Sequence, residues 1–257
     1  MPIKPAYTAF EGLLATYAYR QALLLATDLP ADAHLLLTTL VERRELNVAY
    51  LYRHSGKIAE LSERFSLPPL APTQEAEQLI NYLYDLEAKV KTGQLIDFVR
   101  AVSPIIYRLY RRLLYQLIPD LDDYIHNSKS DQYDRWRFDQ MSNSPHPAIQ
   151  SFIQRRRDSR VMSSSLVDLI METNLPQDTK QTVQLLRQFE KNVRNPLAHL
   201  IKPFDEEELH RTTGFSSQVF LDHIIALAEA CDLTYDRAVF YFDRANLAIL
   251  KLIQNQD

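Results

Sequence analysis

Apolar residues recur at spacings of three, four and seven along most of this chain, and that repeat restricts it to helices. In AYTAFEGLLATYAYRQALLLA, residues 6–26, Phe10, Leu13, Leu14, Tyr17 and Leu24 share one face. HLLLTTLVERRELNVAYLYR predicts a second helix, with Glu42, Arg43, Arg44 and Glu45 on its solvated side. KIAELSERF predicts a third, shorter one. No stretch alternates polar and apolar residues for long enough to build a sheet. Four glycines in 257 residues argue against an all-β fold and against a Gly-rich phosphate loop. The expected fold class is all-α.

Punctuation divides the chain. SLPPLAPTQ, residues 66–74, holds three prolines, each lacking an amide donor and restricting the residue before it. A boundary is expected there, with residues 1–72 as an N-terminal helical subdomain and 73–257 as the main bundle. Thr73 is placed to cap a helix whose apolar face is Ala76, Leu79, Ile80, Leu83 and Leu86, and Gly93 ends it. QLIDFVRAVSPIIYRLYRRLLYQLI then predicts a long helix kinked near Pro104. Residues 127–160 are polar, with Pro145 and Pro147 close together. They read as a loop or insert with one short helix, in which Trp136 is a local packing anchor. Further helices are expected through VMSSSLVDLIMET, TKQTVQLLRQFEKNV, RNPLAHLI, SSQVFLDHIIALAEAC and YDRAVFYFDRANLAILKLI.

Several functions are disfavoured on chemical grounds. A net charge of −4 limits nucleic-acid contact to local patches. Cys231 is the only cysteine, so an intrachain disulfide and a cysteine-rich zinc site are impossible; on an apolar helical stretch it reads as a buried thiol. The seven histidines include no i, i+4 pair beside a carboxylate, and no metal or other cofactor is expected. There is no Gly-x-Ser-x-Gly, Walker loop, signal peptide or apolar run long enough for a bilayer, and the expected location is the cytoplasm.

There remains RNPLAH, residues 194–199. Asn195 suits an N-cap and Pro196 the first helical position. A helix starting there directs free amides and its positive dipole end toward an anion. Arg194 precedes it and His199 lies about one turn inside. A cation, amides and an imidazole would thus converge on one phosphate-sized spot. Metal-free RNA cleavage needs such a set: proton transfer at the 2′-OH and the leaving oxygen, and positive charge on the phosphate. A capped helix start with a surface arginine and a half-buried histidine explains the same residues. The Arg-x4-His spacing is no commoner here than chance.

RNPLAH resembles the active-site motif of the HEPN ribonucleases of type III CRISPR systems, the Csm-six group. LEAKVKTGQLIDFVRAVSP resembles a helix pair of that group. KPFDEEELHRTTGFSSQVFLDHI and YFDRANLAILKLI are similar to its C-terminal helices. AYTAFEGLLATYAYRQALLLA is similar to the helix leading out of its sensor domain. The resemblance implies a HEPN-type bundle and an endoribonuclease that cuts single-stranded RNA without metal, leaving 2′,3′-cyclic phosphate and 5′-OH ends. It implies a homodimer with a composite site, and it carries Arg194, Asn195 and His199 over as catalytic residues. Asn246 corresponds to an asparagine frequent in the last helix, where packing is an equal explanation. The group's Rossmann-like CARF sensor has no counterpart here, so cyclic oligoadenylate would act only through a sensor domain absent from this chain. Two alternatives stand: a HEPN toxin of a toxin–antitoxin pair, and a non-catalytic helical module that binds protein or RNA.

Two basic groups are candidates for following an RNA strand. Arg108, Arg111 and Arg112 alternate with Tyr107, Tyr110 and Tyr115, and Arg155, Arg156, Arg157 and Arg160 end the polar insert. For both, a solvated charged face is the competing explanation.

Overall fold

The computed structural model describes residues 5–26, 28–126, 134–194 and 204–255. Among them are fourteen α-helices and two strands of two residues each. The fold is all-α. Two compact units divide the chain, one formed by Met1–Gln94 with Thr234–Asp257 and the other by Leu95–Leu233.

The first unit contains α1 (Pro5–Ala15), α2 (Tyr19–Leu25), α3 (Ala31–Arg44), α4 (Val48–Arg53), α5 (Ser55–Phe65), α6 (Gln74–Lys91) and, from the far end of the sequence, α14 (Tyr241–Gln254). The helix expected over 6–26 is broken at Tyr17, which adopts a left-handed φ of 56°. Its hydroxyl donates to Asp243 at 2.7 Å, a partner that lies outside any local reading. The break turns Leu24 outward, to 79% exposure, while Phe10, Leu14 and Tyr17 are buried. The second expected helix is likewise interrupted, at Leu46 (φ 57°), and restarts when Asn47 accepts the amide of Tyr50.

Arg43 departs most sharply from the expectation of a solvated side. Instead of facing solvent it is 2% exposed, in the centre of the unit. Its guanidinium donates to Glu77 and Asn81 on α6 and to the Tyr241 hydroxyl on α14. The guanidinium carbon lies 4.5 Å from the Tyr241 ring centroid. Burial opposes its charge, and Tyr241 and Glu77 beside it more than compensate, so it stays charged. Three helices are thereby fastened to one ion.

The other oxygen of Glu77 accepts the amide of Ala71 at 2.7 Å, and the Ala71 carbonyl accepts the Tyr52 hydroxyl at 2.6 Å. The proline segment around residue 72 is therefore held within the first unit, and the division between units falls after Gln94. Thr73 caps α6 by accepting the Ala76 amide at 3.2 Å, and all five residues of the expected apolar face are buried. Gly93 ends the run with a φ of 69°, where a side chain would be strained. Asn246 packs inside the same unit, donating to the Leu14 carbonyl at 2.9 Å.

The second unit is built on α7 (Leu95–Leu117), a 23-residue helix that carries Pro104 internally. Its buried face runs from Phe98 to Leu114, and the Tyr110 hydroxyl donates to the Val183 carbonyl at 3.0 Å. Around it lie α8 (Phe138–Met141), α9 (Pro147–Arg155), α10 (Ser163–Glu172), α11 (Gln177–Phe189), α12 (Glu206–Thr213) and α13 (Ser217–Ala230). The polar insert has more order than its composition suggests. β1 (Ile125–His126) pairs antiparallel with β2 (Arg135–Trp136), and two helices come after them instead of one. Trp136 is 3% exposed and meets Phe152 edge to face at 5.4 Å. Cys231 is buried, its thiol donating to the Leu109 carbonyl at 3.4 Å. No helix among the described residues is long and apolar enough to cross a membrane.

Candidate active site

α11 does not stop at Phe189. It continues as a π-helical turn, Glu190–Arg194, which fits one extra residue into the turn. Such turns are rare and concentrate at functional sites, because the extra residue re-aims the chain beyond it. Here the turn ends on Arg194, the first residue of RNPLAH. Arg194 closes the π turn; Asn195 and His199 lie outside the described residues.

The start of the turn is fixed by a buried carboxylate. Glu190 is 4% exposed. It is held by Arg187 at 3.3 Å, one turn earlier on α11, and by the hydroxyl of Ser163, the first residue of α10, at 3.4 Å. Burial pushes its pKa up; Arg187 and the neighbouring hydroxyls of Ser103 and Ser163 pull it down, and burial prevails. Phe189 stacks on Phe220 of α13, with ring planes 27° apart. Glu190 and Phe189 together fix the direction in which the chain leaves α11.

Beside the turn is a cleft of about 100 Å3 between α11, α12 and α13. Phe189, Phe215 and Phe220 line its inner side, and Gln188, Asn192 and Thr212 its outer side. The bend that closes α12 shapes one wall: Gly214 takes a left-handed φ of 81°, and the Thr213 hydroxyl accepts the Phe215 amide at 3.1 Å. His223 packs edge to face on Phe215 at 5.8 Å, and burial lowers its pKa. Sequence reasoning missed both Glu190 and this cleft. The only signal available was a glutamate four residues before the arginine of the motif.

The candidate RNA-binding arginines are mostly engaged within the protein. Arg108 is exposed on α7. Arg111 pairs with Asp122 at 2.8 Å and lies 5.6 Å from the Tyr115 ring centroid. Arg112 donates to the Cys231 carbonyl at 2.8 Å. Arg155 pairs with Glu172 at 2.9 Å and Arg156 with Asp168 at 2.7 Å, while the Arg157 guanidinium donates to the carbonyls of Ile153 and Arg156. No group of three or more potential metal ligands occurs among the described residues.

A family model described as the Cas_Csm6 HEPN domain matches residues 69–250. No curated protein matches the chain. Among solved structures, the fold is similar to Enterococcus italicus Csm6 bound to cyclic hexa-2'-fluoro-hexa-dAMP, with a TM-score of 0.70 and 12% sequence identity. That match covers 96% of this chain and 56% of the Enterococcus chain, so this chain spans little more than half the length of that relative. The stretch matched by the family model runs from the proline segment through most of α14 and takes in RNPLAH, and the chain belongs to the family of Csm6 HEPN domains.

Proposed function

We propose that this chain is an endoribonuclease of type III CRISPR antiviral defence that cleaves single-stranded RNA without a metal ion. One observation carries the reading. The region matched to the Csm6 HEPN domain contains RNPLAH, and the arginine of that motif closes a π-helical turn anchored by a buried carboxylate. In this mechanism the 2′-oxygen attacks the adjacent phosphorus and the 5′-oxygen leaves. The products carry a 2′,3′-cyclic phosphate and a 5′-OH. His199 takes part in proton transfer, and Arg194 offers its planar fork to the phosphate oxygens as negative charge builds on them. Asn195 caps the helix after it and orients the site.

Two copies of the chain bring their motifs together in a composite cleft. Arg108 and Arg157, the least engaged of the six arginines, are the better candidates for contacts along the strand. A cyclic oligoadenylate, the kind of ligand bound to the Enterococcus protein, reaches this activity through a sensor domain and not through these residues.

The test is cleavage of unstructured RNA in excess EDTA, with wild type beside His199→Ala, and light scattering on both. Wild-type cleavage that persists in EDTA and is lost in His199→Ala, from a dimer, supports the reading. Activity that dies in EDTA and returns with Mg2+ removes the metal-free mechanism. Equal cleavage by both proteins removes the enzyme.

A further inference from the structure

We infer that the outer face of the small sheet in the second unit is a binding surface for the RNA backbone, where His126, Arg135 and Arg160 form a row across three adjoining segments and hold a phosphate between them. This deepens the ribonuclease reading and rests on it.

The pairing pattern sets the geometry. His126 of β1 is opposite Arg135 of β2, and Arg135 is opposite Arg160 through a single antiparallel bridge on its other side. Residues paired directly across strands project from the same face. The Trp136 amide donates to the Ser159 carbonyl at 2.6 Å, and the Val161 amide to the Asp134 carbonyl at 2.8 Å. These bonds flank Arg135 and Arg160 without joining them. That is the closer kind of antiparallel pair, with Cα atoms about 4.5 Å apart. Burial agrees with the row: His126, Arg135 and Arg160 are exposed, while Ile125 and Trp136 are buried on the opposite face. Arg137, two residues beyond Arg135 and so on the same face, is exposed as well.

The chemistry of the row selects the ligand. Like charges directly opposite each other destabilise a sheet, and an anion seated between the two guanidiniums removes that repulsion. Asp158 does part of this already, its carboxylate accepting from Nε and Nη2 of Arg160 at 3.0 and 2.6 Å. Asp134 is turned to the other side, 3.9 Å from the Arg111 guanidinium. Within 125–126, 134–137 and 158–161, one carboxylate thus shares a face with three arginines and a histidine. The two non-bridging oxygens of a phosphodiester can accept from two planar guanidinium forks at once, and the His126 ring offers an N–H in either protonation state. The face is an open ledge, with no walls to enclose a small ligand. An extended backbone needs none, because it repeats its charge at every nucleotide and can run on to Arg137.

The experiment uses the full chain and a nuclease-resistant single-stranded 2′-O-methyl decamer, with binding read by fluorescence anisotropy from about 50 to 200 mM salt. Arg135→Gln with Arg160→Gln should weaken binding about tenfold, the worth of one charge-assisted hydrogen bond. It should also flatten the slope of log K against log salt by about 0.7, the value for one phosphate of a single strand. Arg20→Gln with Arg53→Gln removes the same charge from exposed positions of the first unit and should change affinity less than about twofold. Asp158→Asn removes the competing carboxylate and should tighten binding up to about fivefold, a gain that no unfolded variant would give. Emission from Trp136, the only tryptophan and buried on the opposite face, reports whether the sheet is intact in each variant. Equal affinity and slope for wild type and the Arg135/Arg160 variant overturn the row, as does tighter row-dependent binding of polyglutamate than of the decamer. Cleavage of unmodified RNA is scored in parallel. Row-dependent binding by an inactive wild type removes the ribonuclease and keeps the row; an active enzyme whose row variant binds like wild type removes the row alone.

Discussion

Each of the two units buries a carboxylate against an arginine, and the surroundings of the two pairs differ. In the first, the side chains of Arg43 and Glu77 are 2% and 1% exposed. Asn81, Tyr241 and the Ala71 amide add three further hydrogen bonds to the pair. In the second, Glu190 is buried while the Arg187 side chain remains 32% exposed. The bonds to Glu190 from Arg187 and Ser163 are long, and its pKa is raised. The first pair joins helices. The second is less completely satisfied and sits at the root of the turn that delivers Arg194. A buried charge held by fewer and longer bonds costs stability, and that cost is tolerated where geometry serves chemistry.

The largest effect should separate the two regions by activity. His199→Ala and Arg194→Ala should each lower RNA cleavage about a hundredfold or more, since positioned proton transfer alone is worth on the order of 10²–10⁴. Urea midpoints should stay near wild type. Arg194→Lys should fail too, because an ammonium lacks the planar fork. His210→Ala, outside the motif, should retain a near-normal rate. A variant that loses activity only in proportion to its folded fraction would erase the distinction.

The next effect lies in the scaffold. Glu77→Ala should lower the unfolding free energy by about 3–5 kcal/mol in urea titrations, because it strands the buried Arg43. Replacing Arg43 with Met and Glu77 with Leu together should recover most of that loss. If the double replacement is as unstable as the single one, the network does more than satisfy its own charges.

Glu190 should behave in the opposite sense. Because its folded pKa is raised, the native state holds an extra proton between the usual carboxylate pKa and the folded one. Its contribution is fully present below the usual carboxylate pKa and is lost as pH rises through the folded pKa. Glu190→Gln should flatten that slope in unfolding titrations above the usual carboxylate pKa. It should also lower kcat while leaving KM little changed, if the turn positions Arg194. A flat wild-type profile, or an unaltered kcat, would place Glu190 with the scaffold.

Much of this plan was legible in the sequence, and the losses have a common cause. The Thr73 cap, the face of α6, the stop at Gly93 and the burial of Cys231 are local or periodic features. The break at Tyr17 and the burial of Arg43 depend on α14, some two hundred residues away in the chain. Periodicity cannot see a partner at that distance, so ERRE read as a solvated face. At the candidate site the motif itself was legible. The cleft was not, because its walls come from three helices and no spacing rule connects Gln188 to Thr212 and Phe220.

The smallest expected effect is at His223. Burial lowers its pKa, so the unfolded chain takes up a proton first as pH falls below the ordinary imidazole value of about 6.5. Stability should decline on the acid side of that value, and His223→Gln should soften the decline. An unchanged acid limb would mean that His223 is as accessible in the native state as in the unfolded one.

The first unit is assembled from two stretches of chain, with the whole of the second unit lying between them in sequence. During synthesis the ribosome therefore completes the second unit while the first still lacks α14. Until Tyr241 and Asn246 emerge, Arg43 is without the Tyr241 ring and hydroxyl and the Leu14 carbonyl without its donor. The nascent protein carries an unfinished polar centre through most of its translation. A ribosome stalled before α14 would release a chain able to form the candidate catalytic half but not the half that flanks it in sequence, a natural substrate for chaperones and proteases.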